Sequence, residues 1–332
     1  MDRERVLGLV PEDVKRIADD IKTMRIRGAG RIARAAAQAL MRAAEEYRGE
    51  SLEEFLEYME GVANLLVSTR PTAVSLPNAV NYVMTVLREE KYQSLEEARR
   101  AVIERAREFI EYSKQALRRL GEIGARLIRT GDTILTHCNS SAVESVLVTA
   151  WKQGKRFKVY ATETRPRYQG YITARDLARE GIPVTLVPDS AVLTVIEKMH
   201  VTKVIVGADT VTANGAVINK IGTSQIALAA KRHGVTFIVA TETYKFSPYT
   251  VVGQLVEIEE RSPTEVLEKP IPGLRVRNPA FDATPPDYID MIVTERGIIP
   301  PKSAALLLWE MFRRHPVDAE AKKPQVEEDT IA

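Results

Sequence analysis

The sequence predicts an α/β protein in which an N-terminal helical domain is followed by a Rossmann-like, doubly wound parallel sheet. Three observations point there. Up to about residue 125 the apolar positions recur at helical spacing; after Gly131 they gather into short runs rich in β-branched residues; and amphipathic segments such as SAVESVLVTAWKQG and GTSQIALAAKRHG separate those runs. Strands covered on both faces, alternating with helices, make a parallel sheet with right-handed crossovers.

Each element has its own signal. Pro11 followed by EDVKRIADDIKTM suits a helix start, with proline in the first turn and acids near the positive end of the dipole. Ser51-Leu52-Glu53-Glu54 and Ser94-Leu95-Glu96-Glu97 both match the capping box. The second opens a long helix, Leu95 to about Ile128, whose stripe runs through Ala98, Val102, Ile103, Ala106, Phe109, Ile110, Ala116, Leu117 and Leu120 and links the two domains. The strands are TILTH, RFKVYAT, IPVTLV, KVIVGAD, VTFIVAT and YIDMIVT. The expected division is a helical domain over 1–127, a Rossmann-like domain over 128–314 and a disordered polar tail over 315–332, with no internal repeat.

With 332 residues, 45% hydrophobic and 28% charged, the chain buries a full core. Lysine and arginine total 47 against 45 acids, and a net charge of +2 gives no bulk field for nucleic acid or an anionic membrane. One cysteine excludes an internal disulfide framework and a multi-cysteine zinc site, and four scattered histidines form no obvious metal cluster, so no metal is expected. No stretch has the roughly 18 uncharged residues of a membrane helix, and the expected location is the cytoplasm.

Ligands of such sheets collect at the carboxyl ends of the strands. TILTH runs into Cys138-Asn139-Ser140-Ser141, VIVG into Ala208-Asp209, and FIVA into Thr241-Glu242-Thr243-Tyr244-Lys245. Cys138 reads either as a small buried hydrophobe or as a reactive group, since a helix beginning near Ser140 would favour a thiolate. His137 next to it would point to the opposite face and is not expected to pair with it. Asp209 reads either as a cap or as an acid whose carboxyl group is pushed up in a poorly solvated crevice. Asn214-Gly215 is a turn signal, and Asn219-Lys220-Ile221-Gly222-Thr223 reads as a phosphate cradle before a helix. Residues 21–44 contain six cations and no acid around Gly28-Ala29-Gly30, which reads as a phosphate site or a solvated basic face; without an aromatic residue it makes a poor nucleic-acid patch.

The segments IRGAGRIARAAA, STRPTAVSLPNAV, THCNSSAVESVL, TETRPRYQGYITARDLAREGIPVTLVPDSAV, VGADTVTANGAVINKIGTSQIALAAK, TETYKFSP, VGQLVEIE and NPAFDATPPDYIDMIVTERGIIPP resemble, in order, one family. It unites the regulatory subunits of translation initiation factor 2B with methylthioribose-1-phosphate and archaeal ribose-1,5-bisphosphate isomerases, and the likeness is greatest to the last branch. The resemblance implies a cofactor-free isomerase of phosphorylated sugars, a homo-oligomer of two or six chains, working in nucleoside monophosphate breakdown. It places the catalytic pair on Cys138 and Asp209. It places substrate contacts on Arg27, Gly28, Ala29, Gly30, Arg70, Ser140, Ser141, Ala142, Asn219, Lys220 and Lys245. Methylthioribose-1-phosphate isomerase and a non-catalytic regulatory subunit stay open as alternatives.

Overall fold

The computed structural model describes residues 8–312, apart from 71, 72, 249, 251, 252, 254, 255 and 257. The expectation for the tail at 315–332 therefore lies outside the described residues.

The helical part comprises α1 (Glu12–Lys22), α2 (Ala29–Glu46), α3 (Leu52–Thr69), α4 (Ser75–Glu89) and α5 (Leu95–Ala125). The inward face of α2 is built from alanines, among them Ala33, Ala36, Ala37 and Ala43, all fully buried. Small side chains let α4 and α5 lie close against it. Both predicted caps form. The Ser51 hydroxyl accepts the Glu54 amide at 3.3 Å and the Ser94 hydroxyl accepts the Glu97 amide at 3.3 Å. The Glu97 carboxylate reaches back one residue further than expected, to the Gln93 amide at 3.1 Å. Each cap stabilises its helix by about 1 kcal/mol.

Helix α5 belongs to both halves of the molecule. Val102, Ala106 and Phe109 pack in the helical core, while Leu120 and Ala125 join Ile128 in the core beneath the sheet. At Gly121 and Gly124 an added Cβ would overlap Ser145 and Val146 of α6 (Ser141–Lys152), so the two backbones meet almost directly.

All six predicted strands form: β1 (Thr133–Thr136), β2 (Lys158–Thr162), β3 (Val184–Val187), β4 (Lys203–Val206), β7 (Thr236–Ala240) and β9 (Met291–Thr294). They pair in parallel in the order β3-β2-β1-β4-β7-β9, with β10 (Gly297–Ile299) added antiparallel at the β9 edge. Among the parallel strands, taken in chain order, this is the 3-2-1-4-5-6 arrangement of doubly wound sheets. Its switch point lies between β1 and β4, where Leu135 is in register with Val204. Helices α7 (Gln169–Arg179), α8 (Val192–Lys198), α9 (Thr223–Arg232) and α10 (Ala304–Phe312) complete the layers with α6.

A second sheet, β5 (Thr210–Val211), β6 (Val217–Lys220) and β8 (Phe281–Thr284), is antiparallel and was not predicted. The predicted Asn214-Gly215 turn joins β5 to β6: Gly215 has φ +84° and the Thr212 amide donates to the Ala216 carbonyl at 2.9 Å. Asn219 and Lys220 thus sit on a strand, not in a loop. Among the described residues no helix is long and apolar enough to cross a membrane.

Candidate active site

Strand β1 delivers Cys138 to the switch point in an unusual backbone conformation, φ +66°. A side-chain-bearing residue adopts this left-handed region only when its surroundings hold it there. Here the Cys138 amide donates to the Thr164 hydroxyl at 2.9 Å and its carbonyl accepts from the Thr173 hydroxyl at 2.9 Å. The bend aims the chain into α6, whose first turn is capped by the Ser140 hydroxyl on the Val143 amide. Ser140 in turn rests on Gly207 at the end of β4, where there is no room for a Cβ. Two residues on, Asp209 is half-buried and fixed through its amide to the Ile218 carbonyl at 3.0 Å. Cysteine and aspartate therefore follow neighbouring strands at the crevice.

Burial pushes the Cys138 thiol up to about 11; the Lys220 charge and a backbone hydrogen bond pull it down, and Asp209 and Asp189 push it further up. Burial thus favours the neutral thiol over the thiolate that the nearby helix start would favour, because lost hydration outweighs the cation and the amide. His137 gives no help. Burial pushes it down to about 4, so it is neutral, and both ring nitrogens are engaged: Nδ1 with the Thr162 hydroxyl at 2.6 Å and Nε2 with the Ile221 carbonyl at 2.9 Å. The carbonyl only accepts, so Nε2 carries the proton and Nδ1 accepts from Thr162.

Lys220 lies with its ammonium 4.5 Å from the centre of the Phe281 ring, and its charge also acts on Cys138. Asn219 is buried and donates to the Thr223 hydroxyl at 3.0 Å. The phosphate cradle expected at the start of α9 is not open. The Gly222 amide donates to the Asp282 carboxylate at 2.7 Å and the Ser224 amide at 3.2 Å, so a side chain already fills the anion position at this helix end. Of Ser141 and Ala142, the first is exposed and the second turns its methyl into the core, leaving only its backbone to face the crevice.

The helical half closes on the same edge. Gly28 has φ +88° and opens α2. The Ala29 carbonyl accepts from Ser75 at the start of α4 at 3.0 Å. A Cβ on Gly30 would lie 2.9 Å from the Tyr244 hydroxyl and 3.4 Å from the Glu242 carboxylate, so this glycine admits the loop after β7. In that loop Lys245 is buried with its ammonium 2.6 Å from the Glu242 carboxylate. Burial alone would raise the Glu242 carboxyl group, but the Lys245 charge and the Tyr244 hydroxyl help hold it below the usual range. Arg70 is likewise buried and paired, donating to Glu259 at 2.7 Å.

Arg27 and Lys220 line one small cleft, partly open to solvent, together with Arg167, Gln169, Arg261 and Asn278. The last four were missed from sequence. Gln169 carried a detectable feature only in three dimensions: its buried Oε1 has no hydrogen-bond partner among the described residues. Among those residues no group of three or more His, Cys, Asp or Glu is placed to hold a metal.

A helical half set against the switch point of a 3-2-1-4-5-6 sheet, with a cysteine and an aspartate on adjacent strand ends, defines a two-part α/β class with one polar crevice. The chain belongs to the initiation factor 2 subunit family, which it matches over residues 25–301. It is 53% identical over 310 residues to the ribose 1,5-bisphosphate isomerase of Thermococcus kodakarensis, covering 91% of this chain and 96% of that one. It is 55% identical over 301 residues to the protein of that name from Archaeoglobus fulgidus, covering 90% and 93%. Among solved structures, 5-methylthioribose 1-phosphate isomerase from Pyrococcus horikoshii OT3 superposes with a TM-score of 0.78 at 35% identity, covering 91% of this chain and 88% of that one.

Proposed function

We propose that the protein is an aldose–ketose isomerase converting α-D-ribose 1,5-bisphosphate to D-ribulose 1,5-bisphosphate, with Cys138 and Asp209 as its proton-transfer pair. The observation that carries this is the placement of these two groups on the ends of β1 and β4, beside Lys220 and a cation-lined cleft. Relatives of that name, at about half identity over most of their length, support the substrate.

A sugar 1-phosphate has its anomeric oxygen esterified and cannot open to a free aldehyde. In the proposed route Asp209 gives its proton to the ring oxygen as the C1–O bond breaks. Cys138 as thiolate takes the proton from C2, leaving an enol at C1–C2 that carries the phosphate. The thiol then returns a proton to C1 while Asp209 takes the one on the C2 hydroxyl, and the ketose forms with both groups restored. The resting thiol must first lose its proton.

Arg27, Gly28, Ala29, Gly30, Arg70, Ser140, Ser141, Ala142, Asn219, Lys220 and Lys245 are the proposed substrate contacts, and no cofactor takes part. The reaction carries sugar released from nucleoside monophosphates towards Rubisco, and the working assembly is a homo-oligomer of two or six chains in the cytoplasm. The test is product formation from ribose 1,5-bisphosphate, methylthioribose 1-phosphate and ribose 5-phosphate in parallel, with ribulose 1,5-bisphosphate detected by Rubisco coupling. Selective turnover of the bisphosphate is expected. Turnover of the thioether sugar alone, or of none of the three, overturns the reading.

A further inference from the structure

We propose that Arg261 is the specificity-determining residue for the C5 phosphate, and that Glu259 and Glu265 position it. The proposal rests on the isomerase reading above and deepens it. Lys245 is one of the substrate contacts that the family resemblance implies, but its ammonium faces Glu242. The cations that share the cleft are instead Arg27, Arg167, Lys220 and Arg261, against the single carboxylate of Glu265.

Arg261 is held unlike the other three. Its NH1 donates to Glu259 at 3.0 Å, and its Nε and NH2 both donate to one oxygen of Glu265 at 3.2 Å. Glu259 uses its other oxygen to receive Arg70 at 2.7 Å, and Glu265 also receives Arg167 at 2.8 Å. One carboxylate thus bridges the helical half and the sheet half, and the guanidinium plane is fixed from two sides. Three of its five N–H groups are used, which leaves two for an incoming anion. A rigid, partly satisfied fork on the cleft wall fits a phosphate oxygen pair better than a mobile lysine does. The Arg261 side chain is only 13% exposed, so few waters compete for those two donors. A neutral thioether at C5 would gain nothing from it, and this is the discrimination the site needs.

The experiment is calorimetric binding of ribulose 1,5-bisphosphate and of ribose 1-phosphate to the full chain and to Arg261→Met and Arg261→Lys, with melting curves for each. The methionine variant is expected to lose roughly 30-fold in affinity for the bisphosphate and less than threefold for the monophosphate. The lysine variant, which keeps the charge and loses the fork, should lose roughly tenfold for the bisphosphate alone. In turnover the change should appear in KM, with kcat nearly kept. Equal losses for both ligands in both variants would mean that Arg261 only maintains the fold, and no loss in a folded variant would dismiss it from the site. A wild-type protein that binds the bisphosphate no better than the monophosphate would overturn this assignment together with the isomerase reading. A discriminating wild type with unaffected variants would overturn the assignment alone.

Discussion

Cys138 is the only cysteine in the chain, so its titration is read without interference by following alkylation with iodoacetamide in a mass spectrometer. Burial places the thiol at about 11 against an ordinary value near 8.5. At pH 8 a group at about 11 is about 0.1% thiolate, whereas an ordinary cysteine is about a quarter ionised. The residue as a whole is partly exposed, and the pH of inflection, not the absolute rate, reports the ionisation. The rate should rise about tenfold per pH unit between pH 8 and pH 10 and show no plateau below it. Lys220→Met should move the inflection up, because that cation pulls the thiol down; Asp209→Asn should move it down, because that carboxylate pushes it up. A plateau at or below pH 9, or either variant shifting the wrong way, would refute both the electrostatic account and the idea that the thiol must be armed before it acts.

Three further outcomes are expected. Cys138→Ser and Asp209→Asn should each cut turnover of ribose 1,5-bisphosphate by at least about 100-fold, with the bisphosphate's affinity changed by less than about fivefold, as calorimetry on the inactive variants would show. Lys245→Met strands the buried Glu242 carboxylate and should cost about 3–5 kcal/mol in urea unfolding, most of it regained in Lys245→Met/Glu242→Gln; a double variant no more stable than the single one would show that the pair is not the cause. His137 has a folded value of about 4, below its unfolded 6.5, so the unfolded chain takes the proton first as pH falls. That contribution to stability is complete above about pH 6.5 and fades towards pH 4, a loss of about 2–3 kcal/mol at pH 4.5 that His137→Gln should remove from the pH dependence of unfolding.

The parts of the fold that were legible from sequence are those with local causes. A β-branched run covered on both faces has few alternatives to a central strand, and a serine three residues before a glutamate caps a helix whatever packs beyond it. The small sheet was illegible for the opposite reason. VINK is four residues between a turn and a helix, and its other neighbour, β8, lies about sixty residues later, so pairing was visible only after the chain had folded back. The Asp282 carboxylate arrives by the same route, and it is what turned an expected phosphate cradle into a finished cap. At Cys138 the sequence showed the helix start but not the depth of burial, and burial decided the protonation state.

The ion pair between the two halves was the least legible feature, because Arg70 and Glu259 lie far apart in the chain and share no pattern, whereas the pairs of Arg261 with Glu259 and Glu265 are local. Carboxylates beside the proposed phosphate site have an electrostatic reason. Four cations gathered on one cleft would repel one another. Glu259 and Glu265 offset that repulsion at Arg167 and Arg261 and fix the Arg261 guanidinium, at the expense of some attraction for an anion. A bound phosphate need not displace them, since the Arg261 fork retains two unused donors. Lys245 is different: its ammonium is sealed against Glu242 beneath Gly30, so any role it has towards substrate requires the β7 loop and the start of α2 to separate first.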